Sequence, residues 1–381
     1  MTLFTNCKTI FCWFAIFVFP SVSLGQIHAD KPHWYFESTV RYGRIIPNSK
    51  DFNYLWDIAM YGMDFRFGKQ TTGVNEWEQW FNYPDFGVAL RYANFNDDRF
   101  GNNLALFGYM NGALFRFDKL SINYSIGLGI MHWVKHYDPL LNPENVLIGS
   151  PLNAHIDLTL GVEYMLSDAT DIFLKTNFSH TSNGALVLPN KGVNVLSGLF
   201  GLRYHVNNRL PRIKTIDTIT SFVPSNRLYF FIAPGFRQSK VDLNYYPKYV
   251  FQIGYSRQFH PRFSFGGGID LNYSSELAML LPKSEQAEWK YYSQAAFSSF
   301  ELTFDRLIMH FAFGVYLNKA FSHYTPYYER AGIRVVLGKE RKHFVGFAIK
   351  AHAGSADFLE WTYGYNFFKW FDRKPNRLNK S

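Results

Sequence analysis

The sequence predicts an all-β protein: an antiparallel transmembrane β-barrel of about 12–16 strands, or alternatively an eight-stranded barrel plus a second β unit. Three observations predict it. Aromatic side chains are abundant, with 39 Phe, 25 Tyr and 9 Trp, the material of an apolar band with aromatic girdles. Segments of roughly ten residues alternate apolar with small or polar positions, and about ten is the length a tilted membrane strand needs. The first 25 residues have the layout of a cleaved secretory leader: Lys8, an apolar stretch from Ile10 to Phe19, and Ser23-Leu24-Gly25 before Gln26.

The leader, 1–25, carries both cysteines, Cys7 and Cys12. A mature chain would then hold none, which excludes disulfides, a cysteine nucleophile, cysteine-bearing zinc sites and a cysteine-linked lipid anchor. No later apolar run reaches the roughly 20 residues of a membrane helix. The formal charge of +9 suits anionic lipid as a partner, and nothing suggests nucleic acid.

The expected strands are 33–45, 57–68, 84–95, 103–117, 119–134, 152–165, 171–182, 193–205, 227–238, 244–258, 261–273, 288–303, 306–317, 328–337, 342–352 and 357–370. The fifth is the clearest: Leu120, Ile122, Tyr124, Ile126, Leu128 and Ile130 alternate with Ser121, Asn123, Ser125, Gly127 and Gly129. Pro211 and Pro224 mark 206–226 as a connecting loop. It separates a first group of strands within 26–205 from a second within 227–371, and 372–381 is a basic tail. One large closed barrel would remove strand edges most simply. A soluble sandwich with its apolar rows inward has the same periodicity.

The stretch Asp171 to His205 is chemically the most unusual. Alternation puts Ile172, Leu174, Thr176, Phe178, His180 and Ser182 on one face, and Asn194, Leu196, Phe200, Leu202 and Tyr204 on one face of the next strand. His180, Ser182 and Asn194 therefore sit together at one end of greasy surfaces. With the N-terminus periplasmic, the 183–192 connection lies at the outer leaflet; by the same count Gly68–Tyr83 is a long inner turn.

His180-Thr181-Ser182-Asn183-Gly184, followed by Pro189-Asn190-Lys191-Gly192, resembles the His-x-Ser-Asn signature and downstream turn of lipid A 3-O-deacylases, the PagL-type family. The resemblance covers about fifteen residues closely. It implies a Gram-negative outer-membrane barrel, with no cofactor or metal, that hydrolyses an ester-linked acyl chain of lipid A or a related lipopolysaccharide-type lipid. Ser182 would be the nucleophile, His180 the general base, and donors around Asn183 and Gly184 the oxyanion site. Where the family has a glutamate to orient the histidine, counting from the motif reaches Asn194. An amide oxygen accepts an imidazole N–H and holds the tautomer but brings no charge. Gly184 also follows Asn183 directly, where the family usually has one residue between. The alternatives are a pore or transport barrel, and a catalytically impaired relative that binds lipid.

Other polar positions read as structural. His310 and His352 are interior hydrogen-bonding residues, Lys350 and Glu360 an internal ion pair, and Gly266-Gly267-Gly268 a point of strand curvature. Trp77 and Trp80 are membrane-interface anchors.

Overall fold

Among the described residues, sixteen strands follow one another with antiparallel pairing throughout, and they close twice. The structure is a computed structural model and describes residues 33–206, 208–209, 222–240, 243–285, 287–318 and 325–371. The expected leader 1–25, most of the connecting loop and the basic tail 372–381 lie outside the described residues.

The first barrel comprises β1 (Trp34–Ile46), β2 (Ala59–Lys69), β3 (Asp85–Phe95), β4 (Asn102–Arg116), β5 (Leu120–Trp133), β6 (Leu152–Met165), β7 (Thr170–Ser182) and β8 (Val193–His205). It closes by pairing β8 with β1, from Tyr35 opposite His205 to Ile46 opposite Asn194. The second comprises β9 (Ser225–Gln238), β10 (Tyr245–Gln258), β11 (Phe263–Ser274), β12 (Tyr292–Phe304), β13 (Leu307–Asn318), β14 (Tyr327–Leu337), β15 (His343–His352) and β16 (Ser355–Phe371), with β16 returning to β9. Strand ends agree with the sequence reading within two residues, except that β12 starts at Tyr292 because Glu288–Tyr291 form a 3-10 turn.

Two closures of eight, the alternative arrangement, occur because of what the inward rows contain. An eight-stranded lumen is just wide enough for side chains to fill, whereas about sixteen strands enclose a water channel. The inward rows of the first barrel carry long charged groups that meet across such a narrow lumen. Asp64 accepts from Arg41 at 3.0 Å and from Arg91 at 2.9 Å, and Asp157 pairs with Arg91 and, at 3.2 Å, with Arg66. Towards the other end Glu163 binds Lys175 at 2.6 Å and Arg203 at 2.9 Å, and Arg203 also pairs with Glu37. A buried apolar cluster that includes Leu55, Ile58, Phe95, Phe100, Trp133, Leu147 and Ile148 fills the end nearest the 183–192 connection.

The second lumen is packed in the same manner. Arg330 bridges Asp270 at 2.9 Å and Glu360 at 2.8 Å, and Asp357 binds Lys248 at 2.6 Å and Arg237 at 2.7 Å. The expected Lys350–Glu360 pair is not formed. Both residues point inward, but Glu360 stands opposite Ala348 and Lys350 opposite Phe358, so the two are out of register. Lys350 donates instead to Asn272 at 2.5 Å, and Arg330 takes Glu360. His310 bonds Glu301 at 3.4 Å, and His352 bonds the Tyr316 hydroxyl at 2.9 Å.

Outside, the rows are apolar and exposed: Phe36, Val40, Leu106, Leu174 and Phe200 on the first barrel, Ile253, Phe265, Ile269 and Phe313 on the second. Charged rows inside and greasy rows outside invert the sandwich pattern, which decides that ambiguity. The glycine run on β11 serves close strand approach: a Cβ at Gly266 or Gly268 would meet the carbonyls of Tyr255 and Ile253 at 2.1 and 2.0 Å.

The barrels touch at both ends. Between β2 and β3 the chain forms a short helix, α1 (Glu76–Trp80), and Phe81 beyond it meets Phe304 at the end of β12, ring centroids 3.9 Å apart. Phe81, Phe304 and Met110 form a buried cluster against which Trp77, Trp80, Tyr124, Leu307 and Met309 pack. Trp77 and Trp80 thus fill a seam between barrels, a role their sequence neighbourhood does not reveal. At the other end the 183–192 connection meets the end of β9. Gln238 N–H donates to the Ala185 carbonyl at 3.2 Å, and the Gln238 Oε1 accepts from Leu188 N–H at 2.7 Å.

Candidate active site

The outer wall formed by β6, β7 and β8 carries the polar residues singled out in the sequence. On β7 the odd-numbered residues Asp171, Phe173, Lys175, Asn177, Ser179 and Thr181 are buried in the lumen, and the even row from Ile172 to Ser182 faces out. Asn194 faces out on β8, between inward Val193 and Val195. His180, Ser182 and Asn194 therefore share the outer surface, with Phe178, Leu158 and Leu196 beside them in register.

His180 and Asn194 are direct cross-strand partners, and the His180 Nδ1 lies 2.6 Å from the Asn194 Oδ1. With the amide oxygen as acceptor, Nδ1 carries the imidazole proton and Nε2 keeps its lone pair. Gly192 makes room for this ring. Its φ is +73°, and a Cβ there would fall 2.9 Å from His180 Cε1 and 3.5 Å from Nε2. Both the backbone and the close approach call for glycine.

Ser182 ends the strand. Its Oγ accepts from the Asn190 Nδ2 at 2.8 Å and from Gly184 N–H at 3.2 Å. Both partners are donors, so the hydroxyl proton has no acceptor among the described contacts. His180 and Ser182 share a face two residues apart but are not hydrogen-bonded to each other among the described residues. At i and i+2 on a strand their Cα atoms are roughly 7 Å apart.

Asn183 is placed differently from the sequence expectation. Its side chain is buried and turned into the loop, where Nδ2 donates to Ser150 Oγ at 3.0 Å and to the Val187 carbonyl at 2.9 Å. Its backbone N–H meets the Asn190 Oδ1 at 3.3 Å. Asn183 thus fastens the loop, and the donors that reach Ser182 are Gly184 N–H and Asn190. Sequence reasoning missed Asn190 as a site residue, though it lies in the Pro189–Gly192 turn already noted. It also missed Ser150 and the backbone bond from Gly192 N–H to the Leu147 carbonyl at 2.9 Å, through which the 134–151 connection holds the loop. Asp171, in contrast, lies inside the barrel, bonded to His205 at 2.9 Å and to Arg209.

A hydroxyl with a free proton, an imidazole with an unshared lone pair and aligned N–H donors are the parts that acyl transfer uses. Comparison with known proteins adds the family. The model for lipid A 3-O-deacylase (PagL) matches residues 61–203, and the model for the acyloxyacyl hydrolase, C-terminal domain (PagL_C) matches residues 225–370.

The chain belongs to the PagL/acyloxyacyl hydrolase family. Each of its two closed barrels is matched by one of that family's models. The first match takes in His180, Ser182 and Asn194, and the second spans the second barrel, which the short sequence motif left without a relative. Among solved structures, the outer membrane enzyme PagL is 16% identical, covering 43% of this chain and 97% of that one with a TM-score of 0.30. Neisserial surface protein A (NspA) is 11% identical, covering 45% of this chain and 96% of that one with a TM-score of 0.32. No curated protein matches the chain.

Proposed function

We propose that the protein is an outer-membrane serine esterase that hydrolyses an ester-linked acyl chain of lipid A or a related outer-leaflet lipid, at a site on the outer wall of the first barrel. The observation that carries the proposal is the 2.6 Å contact between His180 and Asn194 on the lipid-facing row that also holds Ser182. Membership of a lipid A deacylase family supports the substrate class. The filled lumen supports a site on the wall over a pore.

In this reading the lipid enters laterally, with no passage through the barrel. His180 Nε2 takes the Ser182 proton as Oγ attacks the ester carbonyl. The C=O pair moves onto oxygen, where Gly184 N–H and the Asn190 amide receive it. Collapse expels the sugar alkoxide, which takes the proton from His180, and leaves an acyl-serine that water cleaves by the same steps. Asn194 keeps Nδ1 protonated and the ring oriented. The leader 1–25 would direct secretion, and the 183–192 loop would face the outer leaflet.

Mass spectrometry of lipid A from cells producing the wild type, Ser182→Ala and His180→Ala tests this directly. Loss of one hydroxyacyl chain with the wild type alone, at equal barrel levels, is the expected result. Unchanged lipid A in all three would remove this substrate from consideration.

A further inference from the structure

The second barrel touches the loop that carries the donors to Ser182, which is more than a scaffold needs. Gly184, whose N–H meets Ser182 Oγ, has a φ of +66°, and a Cβ built on it would lie 3.2 Å from Ile349 Cδ1 and 3.6 Å from Leu359 Cβ. Ile349 on β15 and Leu359 on β16 are cross-strand partners. Val345, Phe347 and Ile349 are only partly exposed although they belong to an outward row, whereas Trp361 and Tyr363 on β16 are exposed. The 183–192 loop meets that wall at Ile349.

Gln238 supplies the polar half of the contact. Its backbone N–H bonds Ala185 and its side-chain oxygen bonds Leu188, two points that lie between Gly184 and Asn190. Its own Nε2 is held by the Leu243 carbonyl at 2.7 Å, which fixes the amide so that Oε1 faces the loop. From the first barrel the loop is tied by Ser150 at Asn183, by Leu147 at Gly192 and by the Asn48 Nδ2 at the Lys191 carbonyl, 2.7 Å away, and Gly149 packs against the Val187 and Pro189 carbonyls. The second barrel adds the hydrogen bonds at Ala185 and Leu188.

We propose that the second barrel is a working part of the esterase site: Gln238 is a positioning residue that holds the loop carrying Gly184 and Asn190, and Ile349 with Leu359 limits the acyl groups admitted beside Ser182. This rests on the esterase reading above. The acyl chain must leave Ser182 on the side away from Ile349, down the outer wall over Phe178, Leu158 and Leu196. An acyl group branched near its carbonyl would be crowded by Ile349. A straight chain would not.

The test uses the full chain in detergent micelles with synthetic acyl esters, straight or branched next to the carbonyl, and compares wild type, Ser182→Ala, Gln238→Ala, Gln238→Glu and Ile349→Ala. Folding is checked by the heat-modifiable migration of each barrel. Gln238→Ala is expected to lower kcat about tenfold with KM within about twofold, since one hydrogen bond to the loop is lost and the lipid wall is untouched. Gln238→Glu, which keeps an acceptor oxygen, restores most of it. Ile349→Ala raises kcat/KM for branched esters relative to straight ones by about tenfold. Hydrolysis that depends on Ser182 but is indifferent to Gln238 and Ile349 overturns the role of the second barrel and leaves the esterase standing. No Ser182-dependent hydrolysis by a folded wild type removes the esterase reading, and this inference with it.

Discussion

Replacing Asn194 by aspartate isolates the departure from the family pattern that bears on the histidine. The substitution is isosteric, so an oxygen stays where the Asn194 Oδ1 sits, 2.6 Å from the His180 Nδ1. What changes is charge. A neutral hydrogen bond contributes about 0.5–1.5 kcal/mol net and one to a charged group about 1.5–3 kcal/mol. The carboxylate is charged throughout, but its attraction grows once the imidazole has taken the serine proton; an added gain there of about 1–1.5 kcal/mol lowers the barrier and leaves substrate binding alone. At about 1.4 kcal/mol per tenfold, Asn194→Asp should hydrolyse lipid A roughly tenfold faster than wild type. Asn194→Ala, which loses the orienting oxygen, should be slower by a similar factor, and Asn194→Glu should also exceed wild type. The assay is the initial rate of fatty-acid release from purified lipid A at matched amounts of folded barrel. If Asn194→Asp falls to the rate of Asn194→Ala, the oxygen is not what His180 uses and the orientation argument is wrong.

Three further substitutions probe separate parts of the account. Gly192→Ala places a methyl 2.9 Å from His180 Cε1 at a φ of +73°; a displaced ring should cost roughly a hundredfold in rate while the barrel still migrates as folded. Asn190→Ala removes the 2.8 Å donor to Ser182 Oγ and should lower kcat by roughly ten- to a hundredfold with KM little changed, read from the same fatty-acid assay. Asp157→Ala, far from the site, strips Arg91 and Arg66 of a shared carboxylate in the lumen. It should destabilise the first barrel by about 3–5 kcal/mol, seen as a lower temperature for loss of the compact electrophoretic form.

Strand positions and facing were legible because a period of two needs no knowledge of the partner strand. Alternation alone put His180, Ser182 and Asn194 on the greasy side, and the structure has all three there. Closure was not legible in that way. Whether β8 returns to β1 or continues to β9 depends on pairing between residues as far apart as Tyr35 and His205. The clue lay in the charge balance of the inward rows, where Arg41, Arg66, Arg91 and Lys175 are matched by Glu37, Asp64, Asp157 and Glu163, the pairing that a narrow lumen requires. Lys350 and Glu360 were misassigned for a related reason. Adjacent strands and a shared face do not fix register, and Arg330 reaches Glu360 from β14. In the loop, Asn183 looked like a donor because it follows the serine, and only Ser150, from the preceding connection, shows why it turns away. Gln238 could not be found from sequence at all, since its contact depends on how two barrels meet.

Trapping the nucleophile tests the central claim most directly. The folded wild-type barrel, Ser182→Ala and His180→Ala would be treated in micelles with a lipid-soluble fluorophosphonate, and the adduct located by peptide mass spectrometry. The account expects a single adduct on Ser182 in the wild type, strongly slowed labelling in His180→Ala, and none in Ser182→Ala. An adduct on a different residue, or hydrolysis of lipid A that persists in Ser182→Ala, would contradict it.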